Sequence, residues 1–143
     1  MSKQEQVLLY QFRDAEKLAL IEKTLNKLGI RTKVLPTEAW HEKIGYLLGN
    51  KGFKAASLRE DDGFVFPHEV MLMQSIRNKR LDQVLEALRA AGVGHIKFKS
   101  VVTPFNTLWT LRRLCETMQR EHAAMLAQGE QPAEGTEAID GNR

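Results

Sequence analysis

Cysteine occurs once in this chain of 143 residues, at Cys115, so no internal disulfide can form and a reducing compartment is expected. No apolar run approaches the ~20 residues that a membrane-spanning helix needs, and stretches such as 70-VMLM-73 are only strand-sized. The opening MSKQEQ is polar and lacks the apolar core of a secretory signal. A cytoplasmic protein with no membrane contact is the expectation. Phosphate-binding loops are lacking too. The nearest candidate, 49-GNKG-52, is too short for a P-loop, has no terminal Lys-Ser/Thr and follows a helical pattern instead of preceding one. It reads as a glycine helix end with a turn. No cofactor is implied.

Metal and catalytic constellations are equally scarce. The four histidines, His41, His68, His95 and His122, have no local metal-ligand spacing, and the lone thiol adds no ligand pair. No nucleophile has a base near it in sequence, and Cys115 falls on an apolar helical stripe where thiols are packing groups. The acids Glu60, Asp61 and Asp62 lie in a polar connection and read as solvated. The chain is expected to be no enzyme.

What is present is a globular composition, 43% hydrophobic and 27% charged, long enough for one domain with a real core. The net charge of +3 hides a split. Residues 128–143 hold four acids and one base, a net of −3, which leaves +6 on the rest. This last segment offers one lone Ile139 and is read as a disordered acidic tail after a single domain over residues 1–127. A modestly basic domain suits weak nucleic-acid contact, and equally suits proteins that never touch nucleic acid.

Self-comparison shows the organisation. An offset of 63 lays Val7 on Val70, Leu9 on Leu72, Leu18 on Leu81, Leu25 on Leu88 and Gly29 on Gly92. Two β-α-β-α units follow, at about 7–49 and 70–126. In the first, a strand over 7–12 leads to a helix capped by Asp14 with Leu18, Ile21, Leu25 and Leu28 on one face. Gly29, a strand over 30–35, the cap Thr37 and a helix over 37–49 carrying Trp40, Ile44, Leu47 and Leu48 complete it. The second repeats this with strands 70–75 and 95–102 and a closing helix 104–126 that buries Leu108, Leu111, Cys115 and Met118.

Strands 7–12 and 70–75 are apolar on both faces and read as central. Strands 30–35 and 95–102 show Arg31, Lys33, His95, Lys97 and Lys99 on one face and read as solvated edges. The architecture expected is α/β (α+β), a duplicated ferredoxin-like four-stranded sheet with extra helices. A doubly wound parallel sheet is the alternative. In either case each helix makes its own two strands parallel. Tyr10 and Phe12 invite comparison with the base-stacking RNA modules, but EVMLMQS has no aromatic to match them. The connection 49–68 is long for a compact domain, and reads as a linker between the units or a lid.

The junction 100-SVVTPFNTLWTL-111 is the most specific local signal. Thr103 caps, and Pro104 at the first helical position has no amide to leave unpaired. Asn106 and Trp109 remain, three apart on one helix face, with Trp40 at the matching point of the first unit. They are read either as core or as a shallow pocket lined by Trp40, Asn106 and Trp109, with Asn106 serving recognition. The motif Thr103-x-x-Asn106-x-x-Trp109, the preceding strand and the Ala91-Gly92-Val93 helix end resemble an uncharacterised bacterial family of small domains, number 3783 among the domains of unknown function. Gly45-Tyr46-Leu47 and Gly49 are similar too. The resemblance implies no catalytic residues. The expected function is a small binding or regulatory module that recognises a protein or small ligand, with a nucleic-acid-binding accessory domain as the alternative.

Overall fold

The computed structural model describes residues 4–56 and 63–127. The acids at 60–62 and the acidic tail from residue 128 lie outside the described residues. Strand β1 (Gln6–Tyr10) leads through helix α1 (Ala15–Lys27) to β2 (Arg31–Leu35). A 3-10 turn (Thr37–His41) and the short helix α2 (Ile44–Leu47) follow. The second unit runs β3 (Val70–Gln74), α3 (Asn78–Ala90), β4 (Phe98–Val101), a 3-10 turn (Asn106–Leu108) and α4 (Leu111–Ala127).

The four strands form one sheet in the order β2-β1-β3-β4. Within each unit the strands are direct parallel neighbours, and β1 meets β3 antiparallel at the centre. Two expectations are corrected here. The ferredoxin-like arrangement splits each βαβ unit by another strand, whereas here each helix joins adjacent strands. The doubly wound alternative needs an all-parallel sheet, and the central pair is antiparallel. The reason lies in α2. Its four residues span only about 6 Å, so no crossover helix returns the chain to the starting end of the sheet. Strand β3 begins where β1 finishes, with Val70 opposite Tyr10.

Alternation along the strands builds two cores. One face carries Val7, Leu9, Met71 and Met73, covered by Ile21 and Leu25 of α1 and Leu81, Val84 and Leu88 of α3. The other carries Leu8, Tyr10, Val70, Leu72 and Phe98, covered by Ile44 and Leu47 of α2, Leu48 just after it, and Leu111, Leu114, Cys115 and Met118 of α4. Asp14 caps α1 by accepting from the amides of Glu16 and Lys17 at 3.0 and 3.2 Å. Gly29 and Gly92 close α1 and α3 at φ of 79° and 81°, the left-handed region where a side chain is strained.

The units correspond residue by residue, though not at one offset. Helices follow the sequence match: Ile21 with Val84, Leu25 with Leu88, Gly29 with Gly92. The central strands do not. Val7 faces the α1/α3 core and Val70 the opposite one, so Val7 corresponds to Met71 and Leu8 to Leu72. The left-handed residues that end the two strands, Gln11 (φ 65°) and Ser75 (φ 62°), agree with this register. From β2 and β4 onward the offset grows again: Arg31 corresponds to Phe98, Leu35 to Val102, Ile44 to Leu111 and Leu47 to Leu114.

An approximate twofold therefore passes through the Leu8–Leu72 pair. It passes as well through an isolated bridge between Lys43 and Thr110, where the Ile44 amide donates to Trp109 O and the Leu111 amide to Glu42 O, both at 2.9 Å. Two ion pairs obey the same relation. Arg80 on α3 reaches Glu5 ahead of β1 at 2.7 Å, and Lys17 on α1 reaches Glu69 ahead of β3 at 2.6 Å.

The bridge also explains why the helices over 37–49 and 104–126 are interrupted. Lys43 and Thr110 must be extended to pair with each other, so each helix breaks into a 3-10 turn and an α-helix that starts afresh. Thr37 does not cap; its hydroxyl pairs with Gln11 Oε1 at 3.2 Å. The edge strands differ from expectation as well. Strand β2 is largely exposed, but Phe98, Lys99 and Ser100 of β4 are buried.

Candidate functional site

Strand β4 runs without a gap into a tightly bonded turn. Val102 still donates to Met73 O at 2.8 Å. The Thr103 hydroxyl then accepts from the Asn106 amide at 3.1 Å, and Asn106 Oδ1 accepts from the Thr103 amide at 2.8 Å. This is the reciprocal geometry of a capping box, with asparagine in the place of glutamate. Asn106 Nδ2 donates to Val101 O at 3.0 Å, and the Thr107 hydroxyl to Pro104 O at 3.0 Å. Asn106 is 4% exposed, so both ends of its amide are spent on buried backbone groups. Its side chain serves the turn and faces no pocket.

The turn points other residues outward. Phe105 is 77% and Leu108 62% exposed, side by side on the rigid segment. Leu108 departs from expectation: its three-residue spacing to Leu111 suggests one apolar stripe, but α4 begins only at Leu111, where Thr110 Oγ1 accepts from the Arg113 amide at 3.1 Å. Trp109 ends the turn in extended backbone and is half-buried against the α2/α4 core. The Arg113 guanidinium lies over its ring at 4.4 Å.

Trp40 takes different neighbours: the His41 ring at 5.5 Å, the Phe64 ring at 5.7 Å and the Arg112 guanidinium at 5.6 Å. Across the twofold it stands where Thr107 does, since the Glu42 amide bonds Ala39 O as the Trp109 amide bonds Asn106 O. The same correspondence sets Phe105 opposite Glu38 and Leu108 opposite His41. The two turns share a backbone and present opposite surfaces.

The remaining candidates are occupied by the fold. Burial, with Glu116 beside it, pushes the Cys115 thiol up to about 12, so it carries no thiolate at neutral pH. Tyr10 donates its hydroxyl to Thr37 O at 2.6 Å and is pushed up to about 12, chiefly by burial, with Cys115 and Glu38 adding. His68 and His122 flank Phe98 at 5.5 and 5.7 Å. Burial, then Lys97 and His122, lowers the pKa of His68. Among the described residues no three His, Cys, Asp or Glu side chains gather as a metal site.

Of the cations read as an edge-strand display, Lys33 donates to Leu47 O at 2.9 Å and Lys99 to Ile96 O at 2.5 Å. Tyr10 and Phe12 are buried, so neither ring is open to a base. Both described ends of the 49–68 connection are held. The Phe53 ring lies where a Cβ on Gly45 would be, Ala56 donates to Glu42 at 2.7 Å, and Phe66 is buried with its carbonyl bonded by Gln11.

Residues 69–125, from just before β3 to near the end of α4, match the model of a family described as a domain of unknown function (DUF3783). The Thr103–Trp109 turn lies inside the matched segment, and Gly45, Tyr46, Leu47 and Gly49 of the first unit lie outside it. Neither the curated proteins nor the solved structures hold a match to the chain.

Proposed function

We propose that this protein is a non-enzymatic recognition module whose second unit docks a partner protein through Phe105 and Leu108. The observation that carries the reading is their display: two large apolar side chains, 77% and 62% exposed, on a turn locked by the Thr103–Asn106 box. A rigid turn loses little conformational entropy on docking, and aromatic anchors dominate interface energies. The first unit has Glu38 and His41 at the same places, so the turn itself does not demand apolar residues there. Arg113, exposed beside Trp109, suits a partner groove with an apolar floor and an acidic rim.

Thr103 and Asn106 hold the turn, and Trp109 forms its flank. The near-twofold correspondence also supports reading the halves as copies of one ancestral unit. The nucleic-acid reading has the +6 charge in its favour, but Lys33 and Lys99 are committed to backbone carbonyls. Retention on nucleic acid that falls steeply with salt would favour it.

The test is a double variant, Phe105→Glu with Leu108→His, which gives the second turn the first turn's residues. Tagged wild-type and variant proteins, recovered from the native host, are compared by mass spectrometry. A partner held by the wild type and lost by an equally stable variant supports the reading. An unchanged partner set removes it.

A further inference from the structure

The two outer strands of the sheet are finished differently. In a strand, successive residues send their backbone groups to opposite sides. The Arg31 amide donates to Glu5 O at 3.4 Å and so faces β1, which turns the amides and carbonyls of Thr32 and Val34 away from the sheet. By the same alternation the Val102 amide faces β3, and the Lys99 and Val101 groups face outward. That second edge is closed at its end, because Asn106 Nδ2 donates to Val101 O at 3.0 Å. Val34 corresponds to Val101, but Ala39 stands in the place of Asn106 and has no side-chain donor. Strand β2 pairs with β1 alone, so among the described residues the Thr32 and Val34 groups form an open edge. Such an edge is a template for one more strand.

The side chains along β2 select what can be added. Arg31 and Lys33 are exposed on the Leu8 face of the sheet, and Val34 is 46% exposed on the Leu9 face. Neither cation forms an ion pair among the described residues. Arg31 bonds the Gln4 side chain at 3.3 Å and Lys33 donates to Leu47 O at 2.9 Å, so each keeps its charge and further donors. Their counterparts in the second unit are Phe98 and Ser100, so the shared frame does not require cations at these places. A second copy of the chain is a poor occupant. Antiparallel pairing about either Thr32 or Lys33 sets cation against cation, which is destabilising.

We infer that the β2 edge takes up an acidic, extended segment of a partner protein as an added strand. The backbone of the segment bonds the Thr32 and Val34 groups. On one face its acidic side chains meet Arg31 and Lys33, and on the other an apolar side chain lies against Val34. The recognised sequence therefore alternates acid with apolar residue. In strand addition the main-chain bonds supply affinity and the alternate side chains supply specificity. This edge shares no residue with the Phe105 turn, so either surface can fail alone.

The test titrates the full chain into a fluorescently labelled peptide of alternating glutamate and valine, about seven residues long to match a strand, and follows anisotropy. Saturable binding that weakens as salt is raised is expected. A lysine–valine peptide, and the glutamate–valine peptide with its amides N-methylated, are each expected to bind at least about tenfold more weakly. Val34→Pro removes an outward amide that β1 does not use, and Lys33→Glu reverses a charge. Each should weaken binding by about tenfold or more. Should Val34→Pro fail to fold, Lys33→Glu carries the test. The inference is overturned by any of three results: no saturable binding of the glutamate–valine peptide, either control peptide bound as well, or affinity unchanged in the folded Val34 or Lys33 variant. A dimer of the chain that Val34→Pro dissolves would assign the edge to a second copy and overturn it likewise.

Discussion

The two halves of this protein share a frame and differ in what they add to it. In the first, α2 stops after four residues and the turn before it shows Glu38 to solvent and holds His41 half-buried. In the second, the corresponding helix continues for seventeen residues, the turn shows Phe105 and Leu108, and a longer loop opens a cavity beside a buried lysine. What the halves share is therefore what the sheet and the two cores need. What only the second shows to solvent, Phe105 and Leu108, is free of that duty. The family match falls on the same half.

The equality of the frame is tested most severely at the twofold. Leu8→Ala and Leu72→Ala each remove a buried side chain from the same core and should each cost about 2–5 kcal/mol. Chemical denaturation measures both. Costs differing by more than about twofold would mean that the halves do not share the core evenly. Next in size is Asn106→Ala, which leaves the Thr103 amide and Val101 O without their partners and should cost about 2–3 kcal/mol. Ala39 already stands at this place in the first unit, so Ala39 tolerates exchange for Gly far better than Asn106 tolerates Ala.

Alkaline pH tests the α2/α4 core where the halves meet. Tyr10 and Cys115 titrate near 12 in the folded protein against ordinary values of 10.0 and 9.0. Between those values the folded state keeps protons that the unfolded chain releases, so stability is full below about pH 9 and falls as pH rises toward 12. Denaturant midpoints read at pH 8, 10 and 11 should decline in that order. Tyr10→Phe removes its share of the slope, at the expense of the hydrogen bond to Thr37.

The ion pairs give a smaller contrast. Arg80 makes two bonds to Glu5, one to Leu28 O at 2.6 Å and one to Gln83 at 2.8 Å, while Lys17 makes one to Glu69 and one to His95 O. All four side chains are between a fifth and a third exposed, so solvent weakens both pairs. Arg80→Ala should cost about 1 kcal/mol and Lys17→Ala about half of that. A reversed order would show that pairing geometry is not what distinguishes them. The smallest effect on stability belongs to Phe105→Glu with Leu108→His, within about 0.5 kcal/mol of wild type, because neither side chain leaves a buried site. A clear loss would make the turn part of the core and end its candidacy as a docking surface.

Helices α1 and α3 were legible almost to the residue, down to the Asp14 cap and the glycines that end them. Their signals lie within one turn of chain: apolar side chains three and four apart, a carboxylate before the first turn, a residue that tolerates positive φ after the last. The two βαβ units were legible for the same reason, since the helices dominate the self-match. The central strands slipped by one. Val7, Leu8, Leu9, Val70, Met71 and Leu72 are all apolar, so shifting one strand against the other leaves the pattern intact while turning every side chain to the opposite face. The turn after β4 was legible as a place, but the directions of its side chains were not. Thr103 was placed correctly as a cap, whereas Asn106 was assigned outward and Leu108 inward.

From local periodicity and turn chemistry alone, the sequence determined two βαβ units, two central and two outer strands, and a bonded turn at Thr103. Only the tertiary structure decided the strand order, the antiparallel centre, the burial of Lys99 and the exposure of Phe105 and Leu108. The physical reason is the same in each case. These features depend on which of two equally apolar edges meet, and on a bridge between Lys43 and Thr110, residues far apart in the chain. The bridge breaks a helix that local spacing would otherwise have continued.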